Sequence, residues 1–463
     1  ANSKPDLDAE LADICISTSA APTFLPAYCF KTQDAQNKDR EFNLIDGGVA
    51  ANNPTLIAIG EVTKQTLMKH GDLFPIKPMD YGRFLVISLG TGNAKNEEKY
   101  NAKMAAKWGL LSWLTHDNST PIIEAFNQAS ADMVDYHNFV VFKALHSDDK
   151  YLRIQDDTLT GNLASVDIST KENLEGLIKV GEELLDKPTS KINLDKGVYE
   201  AVENGGTNKE ALRRFAKKLS DERKFRQANA GHAQTKSKPV SDAELADICI
   251  STSAAPTFLP AHSFKTKDAQ NNEHEFNLID GGVAANNPTL IAIGEVTKQV
   301  LMKHEDLFPI KPMEYGRFLV ISLGTGNAKN EGKYNAKMAA KWGLLSWLTH
   351  DNSTPIIEAF NQASADMVDY HNFVVFKALQ SDDQYLRIQD DTLTGNLASV
   401  DIATKENLEG LVKVGERLLD KPASKINLDK GVYEAVENGG TNKEALRRFA
   451  KTLSDERKFR QSK

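Results

Sequence analysis

Apolar and polar positions along the chain switch between a helical and a strand period, and each switch marks an element. Residues 9–17 space their apolar side chains as a helix does, then run into "STSAAPTFLP", where small residues and proline end the pattern. Phe42, Asn43, Leu44 and Ile45 predict a short buried strand. After the turn Asp46-Gly47-Gly48 comes a helix, with Asn52 or Asn53 as its cap, Pro54 at its first position and Leu56, Ile57, Ile59, Gly60 and Thr63 at helical spacing. "RFLVISLGTG" predicts a strand over residues 83–89 that ends in the turn Gly90-Thr91-Gly92. Two helices follow: residues 100–114, apolar at Met104, Trp108, Leu111 and Trp113, and one begun by Ser119 and Pro121 that carries Ile122, Ile123, Phe126, Ala129 and Met133. "NFVVFKAL" and "YLRIQ" predict strands, and residues 171–185 and 208–226 predict closing helices. Strands alternating with helices predict an α/β layered domain with a largely parallel sheet.

This pattern occurs twice. Residues 8–227 align without a gap onto 242–461 at a constant offset of 234, and 17 of the 220 positions differ, among them Tyr28/His262, Cys29/Ser263, Arg40/His274, Glu98/Gly332, His146/Gln380 and Glu183/Arg417. So long a period excludes a solenoid and predicts two domain-sized units, 1–227 and 242–463, joined by the small and polar linker "ANAGHAQTKSKPVS" at 228–241. The turn Asp280-Gly281-Gly282 is the second copy of Asp46-Gly47-Gly48.

Composition narrows the classes without choosing one. At 40% apolar and 26% charged the chain is of ordinary globular type, and a formal charge of −8 gives no electrostatic case for nucleic acid. No apolar run approaches the roughly 18 residues of a membrane span, so no transmembrane segment is expected. The opening stretch "ANSKPDLDAELADI" has neither an initiating Met nor an apolar core, so it is expected to be neither a signal peptide nor an intact start. Three cysteines, Cys15, Cys29 and Cys249, cannot form a disulfide framework; Cys15 and Cys249 have apolar neighbours, and a reducing compartment or an inert buried thiol is expected. His70, His116 and His137 recur as His304, His350 and His371 without the H-E-x-x-H spacing of a metal helix, so no metal site is expected.

One candidate for chemistry stands out. By itself Asp-Gly-Gly is an ordinary turn. Here Asp46 and Asp280 each follow a strand and precede a capped helix, which is how a rigid scaffold presents a carboxylate, and Gly47, Gly48, Gly281 and Gly282 predict backbone at positive φ or in close approach. Ser17, Thr18 and Ser19, with Ser251, Thr252 and Ser253, are the nearest hydroxyl cluster and read as capping or turn residues. Ser88 reads as a strand residue. The pairs Trp108/Trp113 and Trp342/Trp347 read as the core of an amphipathic helix, with contact to acyl chains as the alternative. The last helix of each unit sets Leu212, Phe215, Ala216 and Leu219 against a basic face, which suits docking on its own domain or lying on an anionic lipid surface.

In order along the chain, "DICISTSAAPTFLP", "FNLIDGGVAANNP", "FLVISLGTG", "YLRIQDDTLTG" and "LRRFAKKLSDERKFR" resemble the C-terminal half of plant patatins and patatin-like lipid acyl hydrolases, over nearly all of both copies. The resemblance implies a three-layer α/β fold with a mostly parallel sheet flanked by helices, present here as two tandem truncated copies. It also implies hydrolysis of acyl esters of phospho- and galactolipids by a Ser-Asp dyad in which Asp46 and Asp280 accept the serine proton. No metal or organic cofactor is implied, and the implied partners are membrane lipids or other acyl esters. The chain contains no G-x-S-x-G elbow and no Gly-Gly-Gly oxyanion loop. The expectation is therefore the acid half of a site, twice, with activity of the chain alone absent or weak. The rival expectation is a non-catalytic storage or lipid-binding pseudoenzyme, or an interaction module that pairs with a complete patatin. The expected location is cytoplasmic or peripheral to a membrane, or vacuolar if a signal lies upstream. An unpaired sheet edge is also expected, covered by pairing of the two copies or by homo-oligomerisation.

Overall fold

The computed structural model describes residues 9–33, 39–67, 84–94, 100–116, 120–165, 168–194, 198–225, 247, 250–251, 253–256, 259–267, 273–301, 318–328, 334–351, 353–399, 402–428 and 431–461. The linker expected at 228–241, with His70, His304, Cys249 and Thr252, lies outside the described residues.

The first repeat runs α1 (Leu11–Thr18), β1 (Tyr28–Gln33), β2 (Asp39–Leu44), α2 (Gly48–Ala51), α3 (Thr55–Leu67), β3 (Val86–Leu89), α4 (Ala102–Ala105), α5 (Leu110–Leu114), α6 (Pro121–Ala144), β4 (Tyr151–Ile154), α7 (Lys171–Asp186), β5 (Ser190–Ile192), β6 (Tyr199–Ala201) and α8 (Asn208–Phe225). In the second repeat come β7 (His262–Lys267), β8 (Glu273–Leu278), α9 (Gly282–Ala285), α10 (Thr289–Leu301), β9 (Val320–Leu323), α11 (Ala336–Ala339), α12 (Leu344–Leu348), α13 (Pro355–Ala378), β10 (Tyr385–Ile388), α14 (Lys405–Asp420), β11 (Ser424–Asn427), β12 (Val432–Ala435) and α15 (Asn442–Gln461).

The mixed α/β class holds, with one parallel pair in each repeat: β3 lies against β4 with Val86 opposite Tyr151, and β9 against β10 with Val320 opposite Tyr385. The other described pairs, β1–β2, β5–β6, β7–β8 and β11–β12, are antiparallel hairpins. Three elements and one cysteine differ from the sequence reading. "NFVVFKAL" is not a strand but the last third of α6, where Val140 and Phe142 are wholly buried. A helix apolar on every side belongs in a core, and that burial overrides the strand preference of adjacent valines. Residues 100–114 form two short helices rather than one, because Gly109 stands outside α5 as its N-cap with extended backbone. β2 is largely exposed rather than buried; it pairs with β1, whose alternate residues Phe30 and Thr32 face inward. Cys15 is exposed, not buried.

The structure divides into two compact units, and each draws on both repeats: one holds Ala1–Ala51, Ile57–Met79 and Glu314–Lys463, the other Asn52–Leu56 and Asp80–Met313. In the first, α2 packs against α13; in the second, α9 and α10 pack against α6. Polar contacts follow the same exchange. Asn277 Oδ1 accepts from the Ala102 amide at 3.3 Å and Lys103 pairs with Glu275 at 3.2 Å, while in the other unit Asn43 Oδ1 accepts from the Ala336 amide at 3.0 Å. The parallel pairs are backed by the closing helices: Leu152 and Ile154 bury Ala211 and Phe215 of α8, and Leu386 and Ile388 bury Ala445 and Phe449 of α15. The basic helix α8 is thus docked on its own sheet through Ala211, Leu212 and Phe215, with Ala216 exposed.

His371 on α13 is fully buried, and burial alone pulls its pKa down to about 4. A neutral imidazole is therefore kept in the fold while the unfolded chain titrates near 6.5. The contribution is complete above pH 6.5 and is lost as pH falls toward 4, at most about 3 kcal/mol. Thermal melting of the chain and of His371→Leu from pH 7 down to 4.5 should show the parent losing stability relative to the variant. A difference that stays constant across that range would refute the assignment.

Candidate active site

Each Asp-Gly-Gly turn is built from the strand before it and the hydroxyl-rich segment that ends the first helix. The Asp46 amide donates to the Ala20 carbonyl at 3.0 Å, and the Gly47 amide donates to the Thr18 carbonyl at 3.3 Å. Asp280 repeats the first bond, to Ala254, at 3.0 Å. The carboxylates are half-buried, and Oδ1 of each accepts from the amide two residues on, Gly48 or Gly282, at 2.6 Å. Each aspartate thereby satisfies one orphan donor at the start of a short helix. Among the described residues Oδ2 of both acids carries no hydrogen bond, so one oxygen is free to take a proton.

The four glycines are not at positive φ; Gly281, for one, is helical at φ −61°. At Gly47 and Gly282 the need is space. A Cβ on Gly47 would lie 3.0 Å from Thr18 Oγ1, and one on Gly282 would lie 3.0 Å from Asp280 Oδ1. Positive φ is found instead at Gly92 and Gly326, each at 90°, in the turns that close β3 and β9. Among the described residues no hydroxyl donates to either aspartate. Ser17 Oγ donates to the Asp13 carbonyl at 2.6 Å within its own helix. The tryptophans are packed on each other: Trp108 and Trp113 meet edge to face at 5.1 Å, with Tyr100 and His116 against Trp108, and Trp342, Trp347, Tyr334 and His350 repeat the cluster. No group of three or more His, Cys, Asp or Glu among the described residues is placed to hold a metal ion.

A second polar centre was not anticipated. Asp135, in the apolar middle of α6, is 2% exposed and faces the Arg153 guanidinium at 2.8 Å, a charge contact whose N–H is not aligned on the carboxylate. Asp135 Oδ1 accepts from the Tyr151 hydroxyl at 2.7 Å and from Asn53 Nδ2 at 2.8 Å. Arg153 also donates to the Ser88 hydroxyl at 3.2 Å, and Ser88 shares a hydrogen bond of 2.9 Å with Thr55. Asn53, rather than Asn52, caps α3, accepting from the Thr55 amide and hydroxyl. Burial, then the Asp135 charge, pushes the Tyr151 and Tyr199 hydroxyls far up, so both stay protonated. The second repeat has Asp369, Arg387, Tyr385 and Tyr433 in the same roles, with Tyr433 donating to Asp369 Oδ2 at 3.0 Å. Ser88 is thus a structural hydroxyl. The signal was present in the sequence: Tyr151 and Arg153 are two apart on a strand and share a face, and Asp135 interrupts an apolar helix.

Residues 115–293 match the family model described as patatin-like phospholipase, a segment that includes Asp280, Gly281 and Gly282 but not Asp46. The chain is 62% identical over 231 residues to Patatin-like protein 2 of Arabidopsis thaliana, covering 50% of this chain and 56% of that protein. It is 54% identical over 232 residues to Patatin-like protein 2 of Oryza sativa subsp. japonica, covering 50% and 57%, and 41% identical over 231 residues to Patatin-14 of Solanum tuberosum, covering 49% and 55%. The chain spans about half the length of the curated relatives it matches.

The two acidic sites should respond differently to substitution. Arg153→Met leaves Asp135 buried and uncompensated and should cost about 3–5 kcal/mol of unfolding free energy, whereas Asp46→Ala removes a cap worth about 1 kcal/mol. Denaturant melts of the two variants measure this, and equal losses would refute the division into a structural and an available carboxylate.

Proposed function

Because the chain belongs to the patatin family, we propose that it carries the acid half of a lipid acyl hydrolase, with Asp46 and Asp280 as proton acceptors for a serine that this sequence does not contain. In the full reaction the carboxylate takes the serine proton as the hydroxyl oxygen attacks the acyl ester. A seryl ester forms, the alcohol leaves, and water, deprotonated in turn, releases the fatty acid. The observation that carries this reading is the carboxylate geometry: one oxygen held by the Gly48 or Gly282 amide at 2.6 Å, the other open.

A specific observation favours pairing with a serine-bearing half over a storage role. Leu11, Ile14, Ile16, Phe24 and Leu25 of the first repeat are all about half exposed or more, and on β3 and β9 so is each outer Leu89 and Leu323 (65% and 66%). Exposed apolar surface of this kind marks a site of association. Leu89 and Leu323 end β3 and β9, each paired on one side among the described residues, which is where further strands would extend the sheet. Phospho- and galactolipid esters are the proposed substrate class. No helix among the described residues is long and apolar enough to cross a membrane, which is compatible with a peripheral site of action.

The test is turnover of a short-chain p-nitrophenyl ester. The purified chain alone should give none that depends on the aspartates. Addition of an N-terminal patatin segment bearing the G-x-S-x-G elbow should give turnover that Asp46→Asn with Asp280→Asn abolishes. Turnover by the chain alone that the same double change removes would overturn the reading.

A further inference from the structure

The last turn of α3 and the end of α13 enclose, with the hairpin β11–β12, a cavity of about 510 Å³ within one compact unit. Its apolar walls include Leu67, Phe373, Ile426 and Val436, and Lys64, Lys377 and Lys425 reach it. Two carboxylates, Asp382 and Glu434, also line it, and both are already engaged. Lys425 donates to Asp382 at 2.7 Å, and Asn427 donates to Glu434 at 2.8 Å. The lining holds three ammoniums and two carboxylates, and Glu61 outside it pairs with Lys64, so Lys377 is the ammonium left without a carboxylate among the described residues. Lys64 pairs with Glu61, at 3.6 Å and 47% exposed, while the Lys64 side chain is 15% exposed. Lys377 has the Phe373 ring beneath it at 5.7 Å and no carboxylate among the described residues. A cation resting on an aromatic face keeps most of its capacity for an anion.

The other unit carries the same groups 234 positions away. Lys191 pairs with Asp148 at 2.6 Å, Lys143 lies over the Phe139 ring at 5.8 Å, and Lys298 pairs with Glu295 at 3.8 Å. The constellation is therefore a repeated feature of both units. Its volume falls within the ~300–1,000 Å³ of small-molecule sites, and such sites pair apolar walls with a few convergent polar groups.

We propose that each unit binds one single-headed anionic amphiphile here, a long-chain fatty acid, with its carboxylate between the α3 and α13 lysines and its chain against the apolar wall. One ammonium without a carboxylate partner among the described residues, Lys377, matches a monoanion better than a phosphate monoester. This assignment goes beyond the hydrolase reading and does not rest on it, because binding is measured without turnover.

Isothermal titration of the full chain with oleate below its micelle concentration should give two sites per chain. Oleyl alcohol, which has the same chain and no charge, should bind at least about tenfold more weakly, the equivalent of one lost ion contact. Lys377→Gln with Lys143→Gln, at the exposed rim, should weaken oleate about tenfold and leave the melting temperature unchanged. Lys64→Gln with Lys298→Gln should do the same and serves as the second, independent variant. The proposal is overturned if oleyl alcohol binds as tightly as oleate, if both lysine variants bind oleate like the parent, or if a lysophosphatidate of the same chain binds more tightly than oleate.

Discussion

A buried charge pair between α6 and β4 sets the frame of its unit. Asp135 and Arg153 are too well covered to be hydrated, with side chains 2% and 10% exposed, so the carboxylate must find its hydrogen bonds inside the protein. It does so by taking one from Tyr151 on the same strand as Arg153 and one from Asn53 at the cap of α3. Arg153 in turn reaches Ser88 on β3, and Ser88 bonds Thr55 in the first turn of α3. One ion pair thereby fixes the register of the parallel pair, the rotation of α6 and the start of α3. An apolar core tolerates small slides of one element past another; a satisfied polar network does not. Any shift of β4 along α6 would strand a buried charge, so the geometry is held by the penalty for leaving it.

The second constraint is the length of α6 and α13. At 24 residues each spans about 36 Å, and burial nearly all round from Met133 or Met367 onward demands cover on more than one side. β4 or β10 covers one side. Another is met in each unit by the short helix that follows an Asp-Gly-Gly turn of the other repeat. That explains why compact units do not follow repeat boundaries: two nearly identical segments compete for two nearly identical faces, and 17 differences in 220 positions leave little to bias the choice. The exchange brings Lys64 beside Lys377, so the lysine-lined cavity depends on having both repeats in one chain.

Much of this was legible in the residues, and the failures have physical causes. The helices at 171–185 and 208–226, the strand in "YLRIQ" and the cap near Asn53 rest on local signals that tertiary packing had no reason to oppose. "NFVVFKAL" misled because an apolar run of that length carries no period of its own, and only the continuous turn from Pro121 shows it to be helical. The hairpin strand "YCFKTQ" was hidden by weak apolar residues, although Phe30 and Thr32 alternate inward as a half-buried strand should. The turn glycines were legible in kind but not in cause. The sequence left positive φ and close approach both open, and Thr18 against Gly47 decides for close approach at that position. Asp135 escaped notice because a buried carboxylate announces itself only when its partner, 18 positions on, is seen to share its space.

The contrast between Asp46 and Asp135 is one of environment rather than residue type. Asp135 has its charge consumed by an arginine, a tyrosine and an asparagine, and a proton delivered to it would break the network that holds β4. Asp46 spends one oxygen on the Gly48 amide and keeps the other open. The amide bond fixes the direction of the carboxylate and leaves its other oxygen without a hydrogen bond among the described residues. A group that must receive a proton from an incoming hydroxyl needs that combination, because a fully satisfied acid has no lone pair to offer and an unrestrained one has no fixed direction. The turn at Asp280 repeats the Oδ1 bond from the amide two residues on and the amide bond to the Ala254 carbonyl. It is therefore encoded by Asp-Gly-Gly and the carbonyl of Ala20 or Ala254, and it is complete before any nucleophile is supplied.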